Sequence, residues 1–137
     1  MAKPPIISLT MLAKVVPFFM LLVAADAVAA RHGPELERGA RMFRFCAGCH
    51  SLKAGEFRLG PPLAGLIGRR AGGVAGYRYS KALRQSGIVW DATTLDGWLA
   101  NPKKFVPGNR TPFSGVRNAR ARAALIAFLA SATRKKP

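Results

Sequence analysis

Acidic side chains are scarce in this chain. Six Asp plus Glu stand against 22 Lys plus Arg over 137 residues, a formal net charge of +16. Such a field excludes an acidic surface and attracts nucleic acid, anionic membrane or an acidic protein face. Motifs for RNA or DNA binding are missing. Cysteine is almost missing: Cys46 and Cys49 are the only two, and the only histidines are His32 and His50. A structural zinc site needs about four ligands, usually from paired Cys/His motifs, and this chain is poor in them. No apolar run is long enough to span a bilayer. The longest, 15-VVPFFMLLVAA-25, has about eleven residues where roughly twenty are needed. No stretch shows strand alternation and no repeats are visible; the only low-complexity segment is the tail 134-RKKP-137. The length allows one compact domain and not two ordinary ones.

What is present begins with a short apolar stretch after Lys3 and Lys14, followed by 26-DAVAA-30. A basic start, a short apolar run and an A-x-A end describe a secretory signal peptide over residues 1–30, with cleavage expected near Ala29. The competing reading is a retained anchor, against which Pro17 and Asp26 both weigh. The mature chain then spans 31–137 and is exported. Without Lys3, Lys14 and Asp26 it keeps 20 basic and 5 acidic residues, a formal net charge of +15. Export argues against nucleic acid as the anionic partner.

The rest reads as small and all-α, with unusually long loops. A helix is expected from Pro34 to about Phe45, with Leu36, Ala40 and Phe43 on one face. Gly39 interrupts it at a cost of about 1 kcal/mol against Ala; either the glycine is simply tolerated or another helix crosses closely there. Ser80 can cap 81-KALRQS-86, with Gly87 as its stop. Asp91 or Thr93 can cap a helix ending at 101-NP-102. A last helix is expected from about Asn118 to Ser131, with Leu125, Phe128 and Leu129 on its apolar face. Residues 51–76 and 102–115 read as Gly/Pro-rich loops. Loops this long need something to organise them, and a large buried cofactor would do so.

The stretch 42-MFRFCAGCHS-51 carries the chemistry. C-x-x-C-H admits a zinc site, a thioredoxin-like dithiol or covalent attachment of a c-type haem. Zinc lacks ligands, and the dithiol lacks a βαβ context. Haem attachment through Cys46 and Cys49, with His50 as the proximal iron ligand, also accounts for export, for the long loops and for how so loop-rich a chain could have a core.

At this point the chain resembles the class I c-type cytochromes, the mitochondrial and bacterial periplasmic cytochromes c, over about residues 33–129. The resemblance rests on Gly39 and Phe43 ahead of Cys46, on Leu125 and Phe128, and on 65-GLIGRRAG-72, 79-YSKAL-83, 87-GIVW-90 and 101-NPKKFVPG-108. It implies a class I fold, helices and long loops wrapped around one covalently bound haem c, and a monomer in the periplasm. It implies that Pro61 offers its carbonyl to His50, which would orient the ring. Arg69, Tyr79 and Trp90 match residues that hydrogen-bond the haem propionates, although Arg69 could be a solvated charge, as Arg70 is expected to be, and Trp90 plain core packing. Phe113 matches the aromatic closing the haem crevice. Lys103 and Lys104 match lysines that meet acidic faces of redox proteins, such as a respiratory reductase or oxidase.

One departure matters most. Three residues after 107-PG-108 the family has a methionine as sixth iron ligand, and this chain has Thr111. Pro107, Gly108, Phe113 and Gly115 keep the register; Met42 lies in the N-terminal helix, and the other methionines precede residue 31. Trp98 and Leu83 replace a tyrosine and an asparagine of mitochondrial relatives, either as drift or as repacking in which Trp98 fills the missing volume. The sixth position is then empty, water-filled or taken by Lys103 or Lys104, with His32 a weaker candidate. The resemblance implies a one-electron carrier, not an enzyme, with a potential below the His/Met norm. The alternative is an open-site haem protein that binds small ligands or acts as a weak peroxidase, although no distal His-plus-Arg pair is evident and Arg110 is expected to face solvent. A diverged relative with impaired chemistry is the third reading.

Overall fold

The computed structural model describes residues 33–134. The expected signal peptide, His32 and residues 135–137 lie outside the described residues. The first element, α1, covers residues 33–47 and so ends two residues beyond the expected Phe45. Its end is set by the Cys46 carbonyl, which accepts the N–H groups of both Cys49 (3.0 Å) and His50 (2.9 Å).

Four helices follow. The short α2, Lys81–Gln85, is capped by Ser80, whose Oγ accepts the Leu83 N–H at 3.1 Å. It stops where Gly87 turns to φ 68°, a conformation that favours glycine. Asp91, not Thr93, caps α3, Ala92–Ala100. Asp91 Oδ1 accepts the Thr94 N–H at 2.7 Å and Thr94 Oγ1 accepts the Asp91 N–H at 2.9 Å, a reciprocal capping box. The helix ends at Asn101, as expected, but the following residues are not simply loop: Pro102–Phe105 form α4, with Pro102 in its first turn and Asn101 as its cap. Proline breaks α3 and suits the start of α4, because its missing N–H would have no partner there. The last helix, α5, is Ala119–Ala132, opened by Asn118 and closed where Thr133 Oγ1 donates to the Leu129 carbonyl at 2.7 Å.

The core gathers Phe43, Leu66, Trp90, Leu95, Leu99, Leu125, Ile126 and Leu129. α3 packs on α5, and Arg122 of α5 donates to both carboxylate oxygens of Asp96 on α3. α1 crosses α5 at Gly39. A Cβ there would overlap the Ala124 carbonyl oxygen and come within 2.5 Å of Phe128 Cβ. The glycine is therefore a contact point, and Phe43 and Phe128 stack beside it with ring centroids 5.5 Å apart. Two loop segments are tied by backbone bonds: Gly68 to Trp90 (2.8 Å), Trp90 to Arg69 (3.0 Å) and Ala71 to Ile88 (2.8 Å). They make one isolated bridge, and no strand forms among the described residues. Among the same residues no helix is long and apolar enough to cross a membrane.

Candidate functional site

The turn after α1 brings Cys46, Cys49 and His50 together. Both cysteines are half-buried, and they form no disulfide. Burial pushes the Cys46 thiol above its ordinary pKa, and the neighbouring Cys49 adds to the rise. A second segment lies along this turn. Gly60 donates its N–H to the Cys49 carbonyl at 2.7 Å, Leu63 donates to the Ser51 carbonyl at 2.8 Å, and between them His50 Nδ1 sits 2.8 Å from the Pro61 carbonyl. A carbonyl can only accept, so Nδ1 carries the proton and Nε2 keeps its lone pair free for a metal. The expected His50–Pro61 contact is thus present. Gly60 was overlooked in the sequence: a Cβ there would overlap the imidazole, 2.7 Å from Nδ1 and 2.9 Å from Nε2. Its one sequence signal was its place directly before Pro61.

The polar residues expected at the opposite edge also cluster. Arg69 is half-buried and donates to the carbonyls of Ala64 (2.8 Å) and Pro62 (3.1 Å), so it is not the solvated charge that Arg70 is. Burial lowers its pKa, partly offset by Tyr79. Burial raises that of Tyr79, and Arg69 opposes the rise. Trp90 is 7% exposed and meets Trp98 edge-on, centroids 5.6 Å apart. Trp98, Phe113, Leu83 and Met42 are partly buried and pack against the core.

The segment after α4 is stitched by Asn109. Its side-chain amide donates to the carbonyls of Pro102 and Val106, both at 2.8 Å, and its Oδ1 accepts the Thr111 N–H at 2.9 Å. Thr111 is half-buried, and its Oγ1 accepts the Phe113 N–H at 3.4 Å. Arg110 is exposed, as expected, and reaches back to the Arg78 carbonyl at 3.0 Å. Lys103 and Lys104 are exposed on α4.

These residues fit a covalently attached haem: two cysteines one turn apart, an imidazole with Nδ1 committed to the Pro61 carbonyl, and apolar chains beside them. They do not fit zinc, because among the described residues no group of three or more His, Cys, Asp or Glu could hold a metal ion.

Comparison with known proteins agrees. A family model described as Cytochrome c matches residues 36–133. Cytochrome c of Cochliobolus lunatus is 46% identical over 102 residues, covering 73% of this chain and 94% of the relative. Cytochrome c2 iso-2 of Magnetospirillum fulvum is 46% identical over 89 residues, covering 65% and 93%. The solved structure of cytochrome cH from Methylobacterium extorquens is 38% identical with a TM-score of 0.65, covering 69% of this chain and 96% of that one.

Proposed function

This chain belongs to the cytochrome c family, with the class I fold and one covalently attached haem c, and it is an electron carrier rather than an enzyme; we propose that it works in the periplasm with an iron whose sixth ligand is not methionine. Haem supplies reversible one-electron chemistry. In this reading Cys46 and Cys49 hold it by thioether bonds and His50 offers Nε2 to the iron. Pro61 and Gly60 fix the imidazole, the carbonyl by its bond and the glycine by leaving room for the ring. Arg69 would offset the charge of the propionates, and Tyr79 and Trp90 would donate hydrogen bonds to them, since carboxylates are costly to bury without donors. Trp98 and Phe113 wall the other side.

The observation that carries the sixth-ligand reading is Thr111. It stands within a loop whose register is kept on both sides, and its hydroxyl is a poor ligand for haem iron. The exposure of Lys103 and Lys104 favours an open or water-filled position over a lysine ligand. It also leaves both lysines free for docking to acidic faces of redox partners, to which the net charge of +15 of residues 31–137 would steer the protein. A peroxidase role is not favoured: His50 is the one histidine among the described residues, and Arg110 is bonded to the Arg78 carbonyl. The periplasmic reading rests on the signal-peptide pattern of residues 1–30, with cleavage near Ala29. Cell fractionation with terminal sequencing tests it: haem protein in the periplasmic fraction starting near residue 30 is expected, and haem protein confined to the cytoplasm would overturn it. A haem redox titration tests the ligand reading. The expected potential lies below the His/Met range, and a value inside that range would sink it.

A further inference from the structure

Arg122 joins three parts of the fold. From α5, its Nε and one terminal nitrogen donate to the two carboxylate oxygens of Asp96 on α3, at 2.8 and 3.3 Å. Its other terminal nitrogen donates to the carbonyls of Val116 and Arg117, both at 3.0 Å. The Arg122 side chain is 12% exposed, so water competes little for these bonds. The same segment is held a second time, because the Val116 N–H reaches the Leu99 carbonyl at 2.7 Å. Gly115, at φ 104°, lies so close to the Ala100 carbonyl that a Cβ would overlap its oxygen. Residues 115–117 are thus clamped to α3 and α5. Upstream, Asn109 ties the chain to the Pro102 and Val106 carbonyls at the two ends of α4. Residues 110–114 lie between these anchors. Among the described residues they make no backbone-to-backbone bond to another segment. Their ties are the Thr111 N–H on Asn109, the Phe113 N–H on Thr111 Oγ1 and the Arg110 side chain on the Arg78 carbonyl. They form a strap with fixed ends that carries Thr111 and Phe113.

We propose that Asp96 and Asn109 are positioning residues that hold the two ends of this strap, and that slackening either end speeds entry of a small ligand to the iron. Asp96 acts through Arg122. Its two oxygens fix the plane of the guanidinium, so that the remaining N–H groups face the Val116 and Arg117 carbonyls. Without that partner the long arginine side chain regains rotamer freedom, and its hold on the two carbonyls loosens. Asn109 acts directly, through its own amide. The two anchors use separate hydrogen bonds on separate elements, so each can be released alone. A strap fixed at both ends transmits the release of one end to the other. The anchoring is independent of the sixth ligand, whereas the effect on ligand entry rests on the reading of Thr111 as a non-ligand.

The test is amide hydrogen exchange of the haem-loaded protein, read residue by residue. Asp96→Asn should speed exchange of the Thr111 N–H about threefold or more, although its acceptor on Asn109 is untouched. Asn109→Ala should speed the Val116 N–H by a similar factor, although its Leu99 acceptor is untouched. The Leu125 and Leu129 amides of α5 should change less than either. Asp96→Glu keeps a carboxylate for Arg122, and should stay within about twofold of the parent. Glu37→Gln breaks the exposed pair with Arg41 on α1, and should leave both ends of the strap unchanged. CO association with the ferrous protein should quicken about threefold or more in Asp96→Asn and in Asn109→Ala. Exchange that quickens only at the substituted end, or equally in α5, overturns the anchoring. CO association that neither substitution changes overturns the effect on entry. A parent that binds no CO overturns that effect together with the Thr111 reading, while the exchange rates still decide the anchoring.

Discussion

His50 and Pro61 are joined side chain to backbone, Nδ1 lying 2.8 Å from the carbonyl oxygen. The bond sets the tautomer, with the proton on Nδ1 and the lone pair on Nε2. Gly60 completes the arrangement by leaving room for the ring. Gly60→Ala should therefore lower the yield of haem-loaded protein several-fold and shift the potential of what remains. Contacts that orient a ligating imidazole are typically worth about 10- to 100-fold in metal affinity or activity. Haem absorbance per polypeptide measures the yield. A fully loaded variant with an unchanged potential would show that the glycine is not needed.

The α1–α5 crossing makes a second prediction. Alanine in place of Gly39 gains about 1 kcal/mol of helix propensity. Its Cβ, however, falls on the Ala124 carbonyl, a backbone atom that cannot rotate aside. Overpacking of this kind typically costs about 1–3 kcal/mol, and here the rigid partner puts it at the upper end. Gly39→Ala should be less stable than the parent in guanidinium denaturation, with the slope unchanged.

Asp96 sets a pH dependence. Its hydrogen bond from Arg122 holds the carboxyl below its ordinary pKa, and the guanidinium charge adds to this. A group depressed in the folded state contributes stability above its unfolded pKa, about 4, and loses it as pH falls through the folded value. Asp96→Asn should therefore lower the melting temperature slightly at pH 7. The gap to the parent should close as the pH is lowered past about 4 to 3. The effect is small because the Asp96 side chain is 47% exposed.

Thr111→Met restores the family's thioether at the sixth position. The loop is already held by Asn109 through Pro102, Val106 and Thr111, so the substitution needs no new backbone. The potential should rise by on the order of 100 mV, a modest part of the roughly 0.8 V that axial ligands command. Redox titration of the two proteins checks it. An unchanged potential would mean that another group already occupies the position.

Much of this was legible in the sequence because it rests on short spacings. The turn from Cys46 to His50, the caps at Ser80 and Asp91 and the stop at Gly87 are local signals. The His50–Pro61 contact and the crossing at Gly39 were reached through the family resemblance. The missed features join residues distant in sequence or look alike locally. Gly60 is one glycine in a Gly/Pro-rich loop, and only the ring beside it explains it. Ala124, which faces Gly39 across the helix crossing, is one of several alanines on α5. α4 was hidden because Pro102 marks both the end of α3 and the start of the next helix. The bonds from Arg69 to Ala64 and Pro62, and from Asn109 to Pro102 and Val106, need the folded chain to appear.

The central claim is that no methionine completes the iron at Thr111. The most direct measurement is the absorption spectrum of the reduced haem protein before and after adding CO. Rapid conversion to a CO-bound spectrum is the predicted result. A spectrum that CO leaves unchanged, with a methionine-to-iron band in the oxidised protein, would contradict it.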